Sequence, residues 1–139
     1  MKVMKLTLVA CLVLAVLACK DPNSFQPFDP TKPDPPDAPQ LVIPANGWIS
    51  DRFAYPQDVI FVWQQVPGAQ FYQIEVYLDS LLRSQYLFYS NTRVTQTSVT
   101  DSLPYYGLYF WRVRAASRNW NNYTDWSSPF RFALPNPGR

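Results

Sequence analysis

Histidine is absent from this 139-residue chain. Its absence excludes Ser–His and Cys–His nucleophilic catalysis, His-ligated zinc and a histidine pH switch. Cysteine is confined to Cys11 and Cys19, so no disulfide can form beyond residue 19. Lysine after that point is confined to Lys20 and Lys32, which leaves the rest of the chain without a Ser–Lys pair. Glycine is scarce, at four residues, and builds no phosphate-cradling loop. No Asp-x-Asp-x-Asp-Gly calcium loop occurs either. The carboxylates Asp51, Asp58, Glu75, Asp79, Asp101 and Asp125 are scattered through the sequence. A carboxylate pair about 5–10 Å apart in a cleft is therefore the one route left to a hydrolase. No metal, cofactor or catalytic residue is expected.

What is present is apolar and aromatic. Hydrophobic residues make up 47% of the chain and aromatics 17%, enough for one packed domain and against full disorder. The helix formers Ala, Glu, Met and Lys are thin, which leans the chain towards β structure. Of the 14 prolines, seven fall between Pro22 and Pro39.

The N-terminus begins with basic Lys2 and Lys5, followed by an apolar run over residues 6–18. As a helix this run spans about 20 Å, short of the roughly 30 Å hydrocarbon core, so it reads as a secretory signal peptide. It ends Val16-Leu17-Ala18-Cys19, followed by polar Lys20-Asp21. This resembles the bacterial lipobox. The resemblance implies acylation of the Cys19 thiol, cleavage just before it, and attachment to a bacterial cell-envelope membrane. Two or more acyl chains make a stable anchor, at about 0.8 kcal/mol per buried methylene. Lys20 stands where an Asp retains some lipoproteins in the inner membrane, so the outer membrane is the expected destination. Loss of residues 1–18 removes Lys2 and Lys5 and leaves ten Lys+Arg against ten Asp+Glu. A near-neutral mature chain argues against nucleic-acid binding.

The chain thus divides into a signal peptide (1–18), a lipidated cysteine with a Pro-rich linker (19–38) and a domain (39–136). In the linker, repeated Asp-Pro and Pro-Pro steps block helix and sheet and favour polyproline II. At about 3.1 Å per residue it reaches roughly 60 Å, a spacer that holds a module clear of the membrane.

From Pro39 onward the sequence alternates with period two. Val59, Phe61 and Trp63 share a face, as do Tyr72, Ile74, Val76 and Leu78, and Tyr109, Trp111, Val113 and Ala115. Phe130 and Phe132 flank Arg131 in the same way. Turn signals separate the runs at residues 44–47, 67–68 and 104–107 and in the Asn-rich stretch 119–122. Short alternating strands of this kind make an antiparallel two-sheet sandwich or a barrel.

The stretch from Pro39 to Pro135 resembles a fibronectin type III domain. The resemblance is carried by Pro39-x-Leu41-x-x-Pro44-x-Asn46-Gly47, Phe61-x-Trp63, Tyr72-x-Ile74-x-Val76, Gly107-x-Tyr109-x-Trp111-Arg-Val113-Arg-Ala115 and Trp126-Ser127-x-Pro129-Phe130-x-Phe132. It implies an all-β, seven-stranded antiparallel sandwich, immunoglobulin-like, without the antibody-type cysteine pair. Leu103, six residues before Tyr109, has the spacing of a tyrosine corner. Residues 81–97 are less patterned.

Of 23 aromatics, 21 lie in the domain, more than one small core holds. Two places collect the surplus. Residues 117–126 carry Trp120, Tyr123 and Trp126 among Asn119, Asn121 and Asn122; here Trp120, Tyr123 and Asn121 are candidate ligand-binding residues, with Trp126 stacked on Arg112 or Arg114. The outer sheet face carries Phe71, Tyr77 and Phe110 beside Glu75, Arg112 and Arg114, a second candidate surface. The expected function is a lipid-anchored, non-catalytic module that binds an envelope protein; the alternative partner is a glycan.

Overall fold

A computed structural model describes residues 24–138. The signal peptide and Cys19 lie outside the described residues. Among the described residues eight strands form two sheets: β1 (Leu41–Ile43), β2 (Trp48–Ile49), β3 (Gln57–Trp63), β4 (Phe71–Tyr77), β5 (Leu87–Val94), β6 (Ser98–Leu103), β7 (Gly107–Ala116) and β8 (Phe130–Leu134). One sheet has the order β1-β3-β6, the other β2-β8-β7-β4-β5.

The count exceeds the expected seven because the first strand divides and changes sheets. β1 pairs antiparallel with β3, whereas β2 pairs with β8 in parallel. The break lies at residues 44–47, where Pro44 has no N–H to continue a ladder and Gly47 takes a φ of +85°. Asn46 hooks the turn onto the second sheet by accepting from the Arg131 N–H, and the Gly47 N–H donates to the Arg131 carbonyl at 2.7 Å.

The inward faces are those the alternation predicts. Val59, Phe61 and Trp63 of β3 meet Tyr72, Ile74 and Val76 of β4 and Tyr109, Trp111, Val113 and Ala115 of β7 in one buried cluster. Phe61 packs edge-on to Trp111 at 5.1 Å, and Tyr109 stacks on Phe132 at 5.3 Å. The exception is Leu78, expected inward: β4 ends at Tyr77, and Leu78 is exposed. Register shifts between β4 and β5 also bring consecutive Phe88 and Tyr89 against the core. Two adjacent residues both touching the interior blur a period-two signal, hence the weak patterning before β6. The tyrosine corner is formed: Leu103 and Tyr109 are fully buried, and the Tyr109 hydroxyl donates to the Tyr105 carbonyl at 2.7 Å.

The Pro-rich linker departs from the expected free spacer. Its described part is docked on the domain. The Phe25 ring lies edge-on to Tyr123 at 4.4 Å and to Phe71 at 5.7 Å. The Asp29 N–H donates to the Asn121 carbonyl, the Asn121 N–H donates to the Pro33 carbonyl, and the Asn121 side-chain amide donates to Asp34. The expected polyproline II conformation is interrupted by a turn: Phe28 takes a φ of +63°, the Lys32 N–H donates to the Asp29 carbonyl and the Thr31 N–H to the Asp29 carboxylate. Residue 39 therefore marks a change of composition and not the edge of the packed unit.

Candidate binding surface

The outer face of the five-stranded sheet is set by the register of its two central strands. Phe71, Gln73, Glu75 and Tyr77 of β4 stand opposite Ala116, Arg114, Arg112 and Phe110 of β7. The middle of this face is polar and fully paired. Glu75 Oε2 accepts from Arg112 Nε at 2.9 Å and Nη2 at 2.8 Å, and from the Tyr77 hydroxyl at 2.6 Å. Arg114 Nε donates to the Gln73 side-chain carbonyl at 2.8 Å.

Above these arginines lies the segment between β7 and β8, stitched to β7 by two hydroxyls. The Ala115 N–H donates to Thr124 Oγ1, and the Thr124 N–H donates to the Ala115 carbonyl. Ser127 repeats the pattern on Val113. Three residues of the segment thus match two of the strand, which lifts Tyr123 and Trp126 over the arginine side chains. The guanidiniums then alternate with rings: Arg112 lies 5.6 Å from the Tyr77 ring and 4.3 Å from Trp126, and Arg114 lies 4.5 Å from Trp126 and 3.7 Å from Tyr123. Burial among these rings lowers the Arg114 pKa below the ordinary guanidinium value. Burial, and then the neighbouring Glu75, raise that of Tyr77 above 10.

Two surfaces border this ladder. At the upper end, where Phe71 lies, a polar groove of about 760 Å³ separates the docked Pro-rich segment from residues 121–128. Asn121, Asn122, Tyr123, Trp126 and Asp125 line one wall, and Asp29, Asp34 and Asp37 the other. At the lower end the face is apolar. Ile49, Ala133 and Leu108 form one cross-strand row, and Arg131, Phe110, Tyr77 and Leu87 the next. Ile49 is 67% exposed and Leu108 45%, with Leu78 and Leu87 also exposed. The apolar surface continues round the sheet edge, because Trp48 also lines a hollow of about 450 Å³ formed with Val42, Ile43 and Ile60. Among the described residues no group of three or more carboxylates, cysteines or histidines is placed to hold a metal ion.

With this geometry in place, solved structures give a match of fold. A Fn3-like protein from Clostridium thermocellum superposes with a TM-score of 0.51 at 20% identity, over 74% of this chain and 97% of that one. The fold is fibronectin type III-like. The fn3 domain of human collagen alpha-1(XX) chain is also similar, at a TM-score of 0.46 and 19% identity over 84% of this chain and 93% of that one. No protein-family model and no curated protein matches the chain.

Within the fibronectin type III-like frame, the candidate residues of the sequence separate. Trp120, expected to be an exposed ring outside both sheets, is 7% exposed and belongs to the core cluster. Its indole closes the upper end of the sandwich over the turn at Gly68. Gly68 sits at φ +81°, a conformation that favours glycine, with the Trp120 ring packed beside it. Asn121 is committed to the Pro-rich segment, and Tyr123 terminates the ladder. Phe71, Tyr77 and Phe110 share the outer face as expected but do not form one exposed patch, because Phe71 and Tyr77 are both buried. Tyr77 and Phe110 are cross-strand neighbours, while Phe71 lies at the opposite end, buried under Phe25 and Tyr123 with Arg93 4.9 Å from its ring. Trp126 stacks on both arginines. Leu108 and Ile49 were missed. The alternation that turns Tyr109 inward also turns Leu108 outward, so Leu108 was readable. Ile49 depends on the sheet switch at residues 44–47, which leaves no periodic mark.

Proposed function

We propose that this chain is a lipid-anchored, non-catalytic module of a bacterial cell envelope, attached through acylated Cys19 at the outer membrane, that binds a protein partner. The observation that supports the partner reading is the apolar band at the lower end of the outer face. Leu108 and Ile49 are well exposed on paired strands beside half-buried Phe110, with Leu78 and Leu87 also exposed. Monomers seldom leave a contiguous apolar patch beyond a few hundred Å² uncovered, and aromatic residues ringed by polar groups are common at interface centres. The scattered carboxylates and the absence of histidine support the non-catalytic reading.

The partner test places a photo-crosslinking residue at Arg131, which borders the band, in the native envelope. A discrete protein adduct that disappears in Leu108→Asp, with the melting temperature kept, supports the reading. An adduct indifferent to Leu108→Asp rejects it. The anchor is checked separately: Cys19→Ser should abolish acylation, read by intact mass and detergent partitioning, and an unmodified wild-type mass would reject it. A glycan is the second reading, favoured by the polar groove in which Tyr123 and Trp126 stand beside Asn121, Asn122 and several carboxylates. Rings, amides and carboxylates together suit sugar hydroxyls and faces.

A further inference from the structure

The docked Pro-rich segment changes what the tether can do. An undocked linker over residues 20–38 reaches roughly 60 Å. Here the chain is held from Phe25 onward: by its ring on Phe71 and Tyr123, by the Asp29 N–H on Asn121, and by Pro33 and Asp34 on Asn121. Between Cys19 and Phe25 only residues 20–24 remain. Fully extended, they reach about 20 Å. Phe25 sits at the Phe71 end of the outer face, and the Phe71–Ala116 pairing marks that as the end of β7 furthest from Leu108. Ten residues of β7 span about 33 Å between the two ends.

We infer that residues 25–38 act as a strap that holds the upper end of the domain, with Phe71, Tyr123 and the loop between β5 and β6, against the lipid surface and directs the Leu108–Ile49 band away from it. This inference rests on the proposal that Cys19 is acylated. The strap replaces a long flexible spacer with a short one of fixed attachment. Its seat is the end of the arginine–aromatic ladder: Arg114 supports the Tyr123 ring, which supports Phe25. The apolar band then faces outward, where an envelope partner reaches it without competing with lipid headgroups.

The test uses the acylated chain in phospholipid vesicles carrying a headgroup energy-transfer acceptor. The domain contains no cysteine, so a donor dye attaches at a single engineered position. Gln96→Cys labels the upper loop and Tyr105→Cys the lower one; both side chains are exposed. Transfer from position 96 should exceed transfer from position 105. Phe25→Ala with Asp34→Ala alters only the strap, and should cut transfer from position 96 by about twofold as the reach grows towards roughly 60 Å. Equal transfer from the two positions, meaning a domain lying flat, would overturn the inference. So would a double variant that behaves like the parent. Amide exchange at Asp29 and Asn121 locates the fault: slow exchange in a chain that does not join vesicles means that the anchor failed, and fast exchange in a chain that does join means that the strap failed.

Discussion

Trp120 shows how little a side chain's sequence neighbours say about its burial. It lies between asparagines in a segment without alternation, yet its ring seals the core above Gly68. Trp120→Ala should therefore cost about 3–5 kcal/mol through the cavity it leaves, measured by urea unfolding. Tyr109 is the contrasting case, a residue whose role follows from its spacing. Its hydroxyl is buried and bonded to the Tyr105 carbonyl, and burial, with Tyr55 and Tyr105 nearby, pushes its pKa up from 10 to about 12. The folded state thus holds the phenol proton more tightly than the unfolded chain does. The corresponding stability is fully present below pH 10 and is lost as the pH rises from 10 through 12, by about 2–3 kcal/mol. Tyr109→Phe should be less stable than the parent at pH 7 by roughly 1–3 kcal/mol. The gap should narrow between pH 10 and 12, and parallel stability curves across that range would contradict the assignment.

At the scale of elements, the segment between β7 and β8 behaves as part of the sheet although it is not a strand. Thr124 and Ser127 satisfy the N–H groups of Ala115 and Val113 that an edge strand would otherwise pair. Thr124→Val and Ser127→Ala should each cost roughly 1–3 kcal/mol, because each leaves a buried N–H unpaired. Both should also loosen Trp126 from its arginines, which near-UV circular dichroism reads directly. A variant as stable as the parent would show that water reaches those amides. The strands themselves were largely legible. Alternation picked out the inward faces of β3, β4 and β7, but it failed for β5, where register shifts bring Phe88 and Tyr89 inward together. It also failed for β2, a two-residue strand too short to show any period. Two of the core tryptophans carry their own cost. Neither Trp63 nor Trp111 has a partner for its indole N–H. Replacing either with Phe removes that unpaired donor and should cost less than the about 3–5 kcal/mol of replacement with Ala.

At the scale of the molecule, the packed unit begins before the domain that composition outlines. A chain starting at residue 39 should still fold, since the buried cluster lies at Leu41 and beyond. It should be less stable than one starting at residue 20 by roughly 1–3 kcal/mol, from two aromatic contacts worth about 0.5–1.5 kcal/mol each. Equal unfolding midpoints for the two chains would mean that the strap contributes nothing to stability.

The sequence by itself determined a domain of alternating β strands and the inward faces of β3, β4 and β7, and its resemblance to fibronectin type III domains implied the sandwich and the tyrosine corner. The faces are written in a local period, which backbone geometry converts into inward and outward sides without reference to distant residues. The tertiary structure alone decided which exposed rings adjoin, that Trp120 is core, that Asn121 grips the Pro-rich segment, and that the first strand crosses between sheets. These are contacts between residues far apart in the chain, such as Phe25 with Tyr123 and Asn46 with Arg131. No local pattern encodes them, because each depends on where the sandwich, once closed, leaves a surface to be covered.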